Sequence, residues 1–320
     1  MLVHLILLVA VAAHGPEGYR RKDRGISRDG HIGEDIEAFA LNYTIGDEVF
    51  EGYLAYPTTL SGEIPGLMIV HQWYGLGENE QDRAIQAAEN GYAAFAIDMY
   101  GYGIRATSNA EAAALSGAIT GNETLLLERA AGGLAQLMPG GVASQEISIN
   151  QSALVANGYC FGGNVVLTYA RVYDDFEACA VFHATFPDVT GFASTDTAVQ
   201  IHHGQLDFQG DQALYDVQDQ LANASVAVWE TAYYSGAAHG FSDFLSDAYL
   251  KRAADQSHVS MFSFYDGVLG SSSCEDSTSW YKEGEPSKDC LWVSEWTPRC
   301  QAKGSGILAD SACPASCGTC

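Results

Sequence analysis

The sequence is poor in basic residues. Fifteen lysines and arginines stand against 40 aspartates and glutamates in 320 residues, giving a formal net charge of −25. Affinity for nucleic acid depends on clusters of Lys and Arg, and anionic membrane surfaces attract the same residues. We therefore expect neither nucleic acid nor a membrane among the partners of this protein.

The sequence also lacks a hydrophobic run long enough to span a bilayer, which needs about 20 residues. Its most apolar segment is Leu2 to Ala13, where small residues at the end suit signal-peptidase cleavage. We predict a signal peptide over residues 1–13 and a secreted protein; a buried N-terminal strand or helix is the alternative. Candidate glycosylation sequons fit an exported chain, and they lie at Asn42, Asn122, Asn150 and Asn223.

Cysteine is scarce over most of the chain and dense at its C-terminus. Only Cys160 and Cys179 lie outside residues 274–320, which hold the other six of eight cysteines. A dense, even set indicates a disulfide framework formed in an oxidising compartment, with a zinc site as the alternative. The Gly-Ser-Ser-Ser segment 270–273 is predicted to link a large domain, residues 30–269, to a small disulfide-rich module.

The large domain alternates short apolar strands with helices. The predicted strands are Ala38–Ile45, Glu48–Ala55, Leu67–His71, Tyr92–Ile97, Ala153–Ala156, Cys179–His183, Val199–His203 and Val226–Tyr233, and the predicted helices are Glu78–Asn90, Asn122–Met138, Gly163–Val172, Asp211–Asn223 and Tyr249–Leu269. This alternation predicts an α/β fold, a doubly wound and mostly parallel sheet with helices on both faces. Functional residues of such sheets follow the carboxyl ends of strands.

The segment Gly158-Tyr159-Cys160-Phe161-Gly162 has the form of a nucleophile elbow with cysteine in the nucleophile position. Glycines two residues before and after the nucleophile avoid collisions in so tight a turn. The start of the following helix favours a thiolate, and the backbone N–H of Phe161 would be one oxyanion-hole donor. No Gly-x-Ser-x-Gly occurs to compete for the role. The alternative is a glycine-rich turn that holds a buried cysteine.

A cysteine nucleophile needs a base and an orienting acid. In α/β-hydrolases the chain order is nucleophile, acid, histidine, and here Cys160 is followed by Asp207 and His239, each just past a predicted strand. His183 is an alternative base, and Asp211 is expected to cap a helix. Packing or hydrogen-bonding roles near the site are expected for His202 and His203, and His258, inside a predicted helix, is expected to be a surface or packing residue.

Taken together, these residues resemble the dienelactone hydrolase family over about Asp35 to Leu269. The resemblance rests on five segments: Val70-His71-Gln72-Trp73-Tyr74-Gly75, Gly91-Tyr92 leading to Asp98-Met99-Tyr100, Gly158-Tyr159-Cys160-Phe161-Gly162-Gly163, His203-Gly204-Gln205-Leu206-Asp207 and Ala238-His239-Gly240-Phe241. It implies an α/β-hydrolase fold, a Cys160-Asp207-His239 triad, the N–H of Trp73 as second oxyanion donor, and no cofactor or metal. The predicted substrate-pocket residues are Gln72 and the aromatic residues Tyr74, Tyr102 and Phe241, and ordinary core packing is the alternative for the aromatic ones.

Two departures from the family pattern bear on the substrate. Gln72 stands where studied members carry a glutamate that helps control thiol ionisation, and a glutamine cannot take the proton of the thiol. Tyr102 and Asp243 stand where arginines hold the substrate carboxylate, although Arg105 is near in sequence. We therefore expect acyl transfer to Cys160 from a neutral or less acidic ester or lactone. A non-catalytic secreted binding protein that keeps the hydrolase fold is the alternative.

The cysteine-rich tail, residues 274–320, resembles a ShK-toxin-like module through its Cys313-x3-Cys317-x2-Cys320 ending. From the residues alone, fifteen pairings of six cysteines are open. The resemblance implies the pairs Cys274–Cys320, Cys290–Cys313 and Cys300–Cys317. Channel-blocking members carry a Lys-Tyr pair between the third and fourth cysteines, and the stretch Gln301 to Ala312 has no tyrosine; as a module appended to an enzyme, it is expected to dock on a protein or a surface.

Overall fold

The computed structural model describes residues 35–187, 196–224, 226 and 228–270, together with four short strands near the C-terminus. The strands of the large domain are β1 (Ile36–Ile45), β2 (Glu48–Pro57), β3 (Ile64–Val70), β4 (Ala93–Ile97), β5 (Ile149–Tyr159), β6 (Ala178–Phe182), β7 (Ala198–Leu206) and β8 (Trp229–Ala238). Its helices are α1 (Glu78–Glu89), α2 (Asn109–Thr120), α3 (Glu123–Leu134), α4 (Val142–Glu146), α5 (Phe161–Val172), α6 (Gly210–Asn223) and α7 (Lys251–Gly270). The short strands are β9 (Tyr281–Lys282), β10 (Glu285–Asp289), β11 (Lys303–Gly304) and β12 (Ile307–Leu308).

The first eight strands form one sheet in the order β1-β2-β4-β3-β5-β6-β7-β8. The β1–β2 hairpin is antiparallel and joins β4 antiparallel, whereas every later pairing is parallel. The predicted α/β fold with a mostly parallel sheet is therefore confirmed. Because the strands from β3 onward run the same way, the loops after β3, β5, β7 and β8 meet at one edge of the sheet.

The sheet has a hydrophobic core on each face. Neighbouring side chains of β3 alternate between the two cores: Leu67 and Ile69 pack on one face, and Met68 and Val70 on the other. Helices α1 and α7 cover the first face, while α3, α5 and α6 cover the second. Burying an aliphatic side chain completely stabilises the fold by about 1.5–3 kcal/mol, so this double coverage accounts for the near-continuous apolar strands.

Several boundaries differ from the sequence predictions for local reasons. Helix α2 was not predicted, because its sequence is mostly small residues and only Ala112 and Ile119 are buried. Helix α3 ends at Leu134 instead of Met138, since the chain tightens into turns there with bonds such as Leu137 N–H to Leu134 O at 2.9 Å. Strand β5 extends beyond Ala153–Ala156 at both ends, through polar residues that its sequence pattern did not favour.

The export-related predictions stay predictions. Asn42, Asn122 and Asn223 are exposed and Asn150 is half-buried, while the Asn122 side chain caps α3 by accepting from Leu125 N–H at 3.2 Å. The predicted signal peptide, residues 271–273 of the predicted linker and the three predicted disulfides lie outside the described residues. Gly270, predicted to begin the linker, is instead the last residue of α7. Cys160 and Cys179 are both free thiols. Within the described ranges, none of the helices combines the length and the apolar character needed to cross a membrane.

Candidate active site

Cys160 lies in a strained turn between β5 and α5. Its backbone has φ 55° and ψ −112°, a conformation with positive φ that residues other than glycine rarely adopt. The turn is held by a bond from Cys160 N–H to Phe182 O at 3.0 Å. The Cys160 carbonyl accepts from Gly163 N–H and Thr185 N–H, both at 3.1 Å. These bonds offset the strain and hold the thiol at the start of α5.

The glycines around Cys160 are required by close backbone contacts. A β-carbon on Gly158 would lie 2.1 Å from Gly162 O, and one on Gly162 would lie 2.2 Å from Val70 O. Neither contact can be relieved by rotating a side chain, because the opposing atoms belong to the backbone. Side chains at positions 158 and 162 would therefore collide with the backbone, as expected from the sequence for the residues two positions before and after Cys160.

Asp207 and His239 meet at the same edge of the sheet, directly after β7 and β8. Nδ1 of His239 lies 2.9 Å from Oδ2 of Asp207, and Gln209 N–H donates to Oδ1 at 3.0 Å. The carboxylate is buried. An ionised carboxylate only accepts, so Nδ1 of His239 carries a proton and Nε2 is left for another partner.

The pKa values of this pair move apart. Burial, the largest influence on His239, lowers its pKa, but hydrogen bonds with Asp207 and with the Cys160 side chain outweigh it and raise the pKa to about 9. For Asp207 burial acts in the opposite direction and raises the pKa. The hydrogen bond from His239 outweighs burial, so the pKa of Asp207 lies below its usual value. His239 therefore holds a proton between an acid and a thiol, the arrangement that general acid–base chemistry needs.

Two backbone N–H groups are available beside the thiol. Phe161 is the first residue of α5, and Trp73 lies in the loop after β3. Within the part of the chain that the structure describes, neither N–H donates to another protein group. Both residues line the cavity that also contains Cys160 and His239.

The cavity above the thiol has a volume of about 1070 Å³. Gln72, Trp73, Tyr74 and Arg105 line it together with Asp243 and, among other residues, Phe208 and Leu245. The last two side chains are largely exposed and belong to its rim. A volume of this size admits a substrate far larger than an acetate ester.

Two of the predicted pocket residues do not line the cavity. The ring of Phe241 is fully buried, with centroids 5.3 Å from the rings of both His183 and Tyr234. Tyr102 is 58% exposed, and its backbone N–H bonds Val49 O at 2.9 Å in the loop after β4. The prediction placed them by their spacing from family motifs, which does not fix the direction of a side chain.

Four further histidines of the described residues, at positions 183, 202, 203 and 258, are buried, and burial lowers their pKa values. His183 lines the cavity, but its Nε2 is 2.8 Å from the Ser242 hydroxyl, and burial keeps its pKa well below the usual value. His202 bonds Tyr234 and Gln200, while burial also lowers the pKa values of His203 and His258. None of the hydrogen bonds that these histidines form goes to Cys160.

Two acidic residues behave differently from expectation. Asp211 does not cap α6; Gln209 occupies the cap position, and Asp211 accepts from the Tyr233 hydroxyl at 2.7 Å. Glu80 of α1 was not predicted to have any role, yet it is completely buried beside the loop after β3. A Glu three residues after the N-cap position, here Gly77, is part of a capping-box pattern, and this was the one signal available in the sequence.

Arg105 is engaged by the protein itself. Its guanidinium donates to the carbonyls of Leu76 and Ile104, the latter at 2.7 Å, and lies 3.6 Å from Glu51 and 3.7 Å from Asp98. Gln72 also turns to the backbone, because its Oε1 accepts from Tyr74 N–H at 2.9 Å. Among the described residues, no group of three or more His, Cys, Asp or Glu side chains could hold a metal ion.

The mostly parallel eight-stranded sheet and the strained turn after β5 define an α/β-hydrolase-type fold. The family model described as the dienelactone hydrolase family matches residues 50–269, so the chain belongs to that family and is a hydrolase of carboxylic esters. No curated protein matches the chain significantly.

Solved structures resemble the chain over most of their length. A dienelactone hydrolase-like promiscuous phosphotriesterase from metagenomic libraries is 25% identical with a TM-score of 0.67, covering 73% of this chain and 99% of its own. A Klebsiella pneumoniae protein assigned as a dienelactone hydrolase is 19% identical with a TM-score of 0.62, covering 72% and 98%. Esterase 2 of Thermogutta terrifontis is 17% identical with a TM-score of 0.50, covering 73% and 95%. The last two show the fold alone.

Proposed function

We propose that the protein is a cysteine-triad hydrolase that cleaves an ester or lactone by acyl transfer to Cys160. The observation that carries the proposal is the strained backbone of Cys160, φ 55°, in a cavity that also contains His239, itself bonded to Asp207 at 2.9 Å. A buried cysteine that merely packs gains nothing from such strain, whereas a nucleophile is exposed by it.

The proposed reaction proceeds in two steps. His239 takes the thiol proton, and the sulfur attacks the ester carbonyl to give a tetrahedral oxyanion held by the N–H groups of Phe161 and Trp73. Collapse of this intermediate breaks the C–O bond, and His239 gives its proton to the leaving alcohol. Water, deprotonated by His239, then attacks the thioester carbonyl. The C–S bond breaks, the carboxylic acid is released, and His239 returns the proton to the Cys160 sulfur, with Asp207 holding the imidazole throughout.

The preferred substrate is proposed to be neutral or weakly acidic. Arg105 is occupied by backbone carbonyls and by Glu51 and Asp98, so it is not aimed at a substrate carboxylate. Asp243 lines the cavity in addition, and an anionic substrate would meet its charge at close range. We expect neutral p-nitrophenyl esters to be cleaved faster than dienelactone, and the reverse order would contradict this preference.

The test of the mechanism is hydrolysis of p-nitrophenyl acetate and butyrate by the wild-type protein, Cys160→Ala and Cys179→Ala. Cys179 is the matched control, because it is the second free thiol among the described residues and is fully buried in β6. We expect Cys160→Ala to abolish turnover and Cys179→Ala to keep it. Turnover that survives Cys160→Ala would contradict the cysteine mechanism. A freshly reduced wild-type protein without turnover would favour the non-catalytic binding alternative.

Export and surface docking remain part of the proposal. The sequence features that support them are the apolar segment 2–13 and the six cysteines of residues 274–320. N-terminal sequencing of the protein from the culture medium of a secreting host should start after residue 13. Peptide mapping without reduction should find the pairs Cys274–Cys320, Cys290–Cys313 and Cys300–Cys317. An intact N-terminus or free thiols in the tail would contradict this part.

A further inference from the structure

The Glu80 carboxylate is buried against the loop that carries Trp73. Oε1 accepts from Gln72 N–H at 3.3 Å and from the Asn79 side-chain amide at 3.2 Å, while Oε2 accepts from Gly77 N–H at 3.0 Å. Glu80 therefore joins the two ends of the segment 72–77, which we call the oxyanion loop. Trp73 lies between the two ends.

The peptide between Gln72 and Trp73 is fixed at several points. Its carbonyl, Gln72 O, receives Nδ1–H of His71 at 2.6 Å and Gly75 N–H at 3.2 Å. In a trans peptide the C=O and N–H point in opposite directions, so these bonds also set the direction of the Trp73 N–H. The next carbonyl, Trp73 O, accepts from the Tyr100 hydroxyl at 2.9 Å.

Only one N–H of this stretch is left over. Gln72 N–H goes to Glu80, Tyr74 N–H to the Gln72 side chain, and Gly75 N–H to Gln72 O. Among the described residues, the Trp73 N–H alone of these four has no protein acceptor, and it borders the cavity that contains Cys160. An oxyanion hole requires a backbone N–H that has no protein acceptor and is held in a fixed direction. The Trp73 N–H meets this requirement, because the N–H groups on either side of it are already hydrogen-bonded.

We propose that Glu80 is a positioning residue, whose carboxylate clamps both ends of the oxyanion loop and so aims the Trp73 N–H at the substrate oxyanion. The inference rests on the proposed function and deepens it. A carboxylate suits the task because both of its oxygens accept, one at each end of the loop. An amide in its place would present an NH2 group to one of the two backbone donors.

The cost of burying this carboxylate supports a specific role. Among the described residues Glu80 has no ion-pair partner, and Arg83 of the same helix instead donates to Ser242 O at 3.2 Å. Burial, with a smaller contribution from Asp243, raises the pKa of Glu80 to about 7. A residue needed only for packing would be less costly as an apolar side chain.

The test compares Glu80→Gln with Glu78→Gln, which makes the same charge change on an exposed residue of the same helix turn. Two reactions of Cys160 are measured: steady-state hydrolysis of p-nitrophenyl butyrate and alkylation by iodoacetamide. Ester cleavage passes through an oxyanion, whereas alkylation displaces iodide at a CH2 group and forms none. For Glu80→Gln we expect kcat to fall about 100-fold, with KM within about twofold and the alkylation rate unchanged. Glu78→Gln should match the wild type in both reactions.

Each contrary result overturns the inference. Unchanged kcat in Glu80→Gln would show that the loop holds without the carboxylate. A parallel fall in alkylation would place the effect on the thiol or on folding. Glu80→Asp, which keeps the charge but is one methylene too short to reach both donors, should lose kcat in the same way and covers the case in which Glu80→Gln does not fold. A wild-type protein without Cys160-dependent turnover would overturn the proposed function as well.

Discussion

Nδ1 of His239 lies 2.9 Å from Oδ2 of Asp207, so the acid that follows β7 fixes the imidazole that follows β8. Asp207→Asn would keep the size of the side chain but could present an NH2 group to Nδ1, which favours the wrong tautomer. We expect kcat/KM for p-nitrophenyl butyrate to fall by about 10³–10⁴ and alkylation of Cys160 to slow.

Asp211→Asn is the matched control for this change, because Asp211 is exposed and bonds only the Tyr233 hydroxyl among the described contacts. It should keep wild-type kinetics. Equal losses in both variants would indicate a general effect of charge and would contradict the orienting role of Asp207.

The same pair should make stability depend on alkaline pH. The pKa of His239 is raised from 6.5 to about 9 in the folded protein, so its contribution is fully present below pH 6.5 and is lost as the pH rises through 9. His239→Gln removes this titration. Urea unfolding at pH 6 and pH 9.5 should show the wild type losing its advantage over the variant at the higher pH. A pH-independent difference would contradict the raised pKa.

Ionisation of Glu80 should also lower the stability of the fold as the pH rises, but over a lower pH range than the titration of His239. Its pKa is raised from 4.5 to about 7, because burial disfavours the charged form. The folded state therefore holds a proton that the unfolded state releases, and stability present below pH 4.5 is lost as the pH rises through 7. Relative to the wild type, the free energy of unfolding of Glu80→Gln should improve between pH 4.5 and pH 8. Glu78→Gln, on the exposed position, should show no such trend.

The sheet and the order of the site residues were predictable because each signal is local. Cys160, Asp207 and His239 each follow an apolar strand, and parallel strands bring such positions to one edge. Glu80 was not predictable in the same way. A glutamate in the first turn of a helix is normally an exposed partner of the helix dipole, and only the packing of the oxyanion loop against α1 buries it. Phe241 failed as a pocket residue for a related reason, because contacts with His183 and Tyr234 decide its direction.

The close approach of Gly162 to β3 ties the stability of the turn to the candidate activity. A β-carbon on Gly162 would lie 2.2 Å from Val70 O, and β3 leads directly into the oxyanion loop. Gly162→Ala must therefore push α5 away from the strand, at a cost of about 1–3 kcal/mol, and displace the Phe161 and Trp73 donors together.

Gly267→Ala is the matched control for this last change, since a β-carbon there meets nothing within 4 Å, and the position is exposed in α7 and away from the cavity. It should raise the free energy of unfolding by about 0.5–1 kcal/mol, because alanine favours the helix. Urea unfolding and ester turnover, measured on both variants, should give a less stable and nearly inactive Gly162→Ala beside a fully active Gly267→Ala. A stable Gly162→Ala with wild-type turnover would show that the turn tolerates a side chain, and the tight packing of Cys160 against β3 would not be needed for the reaction.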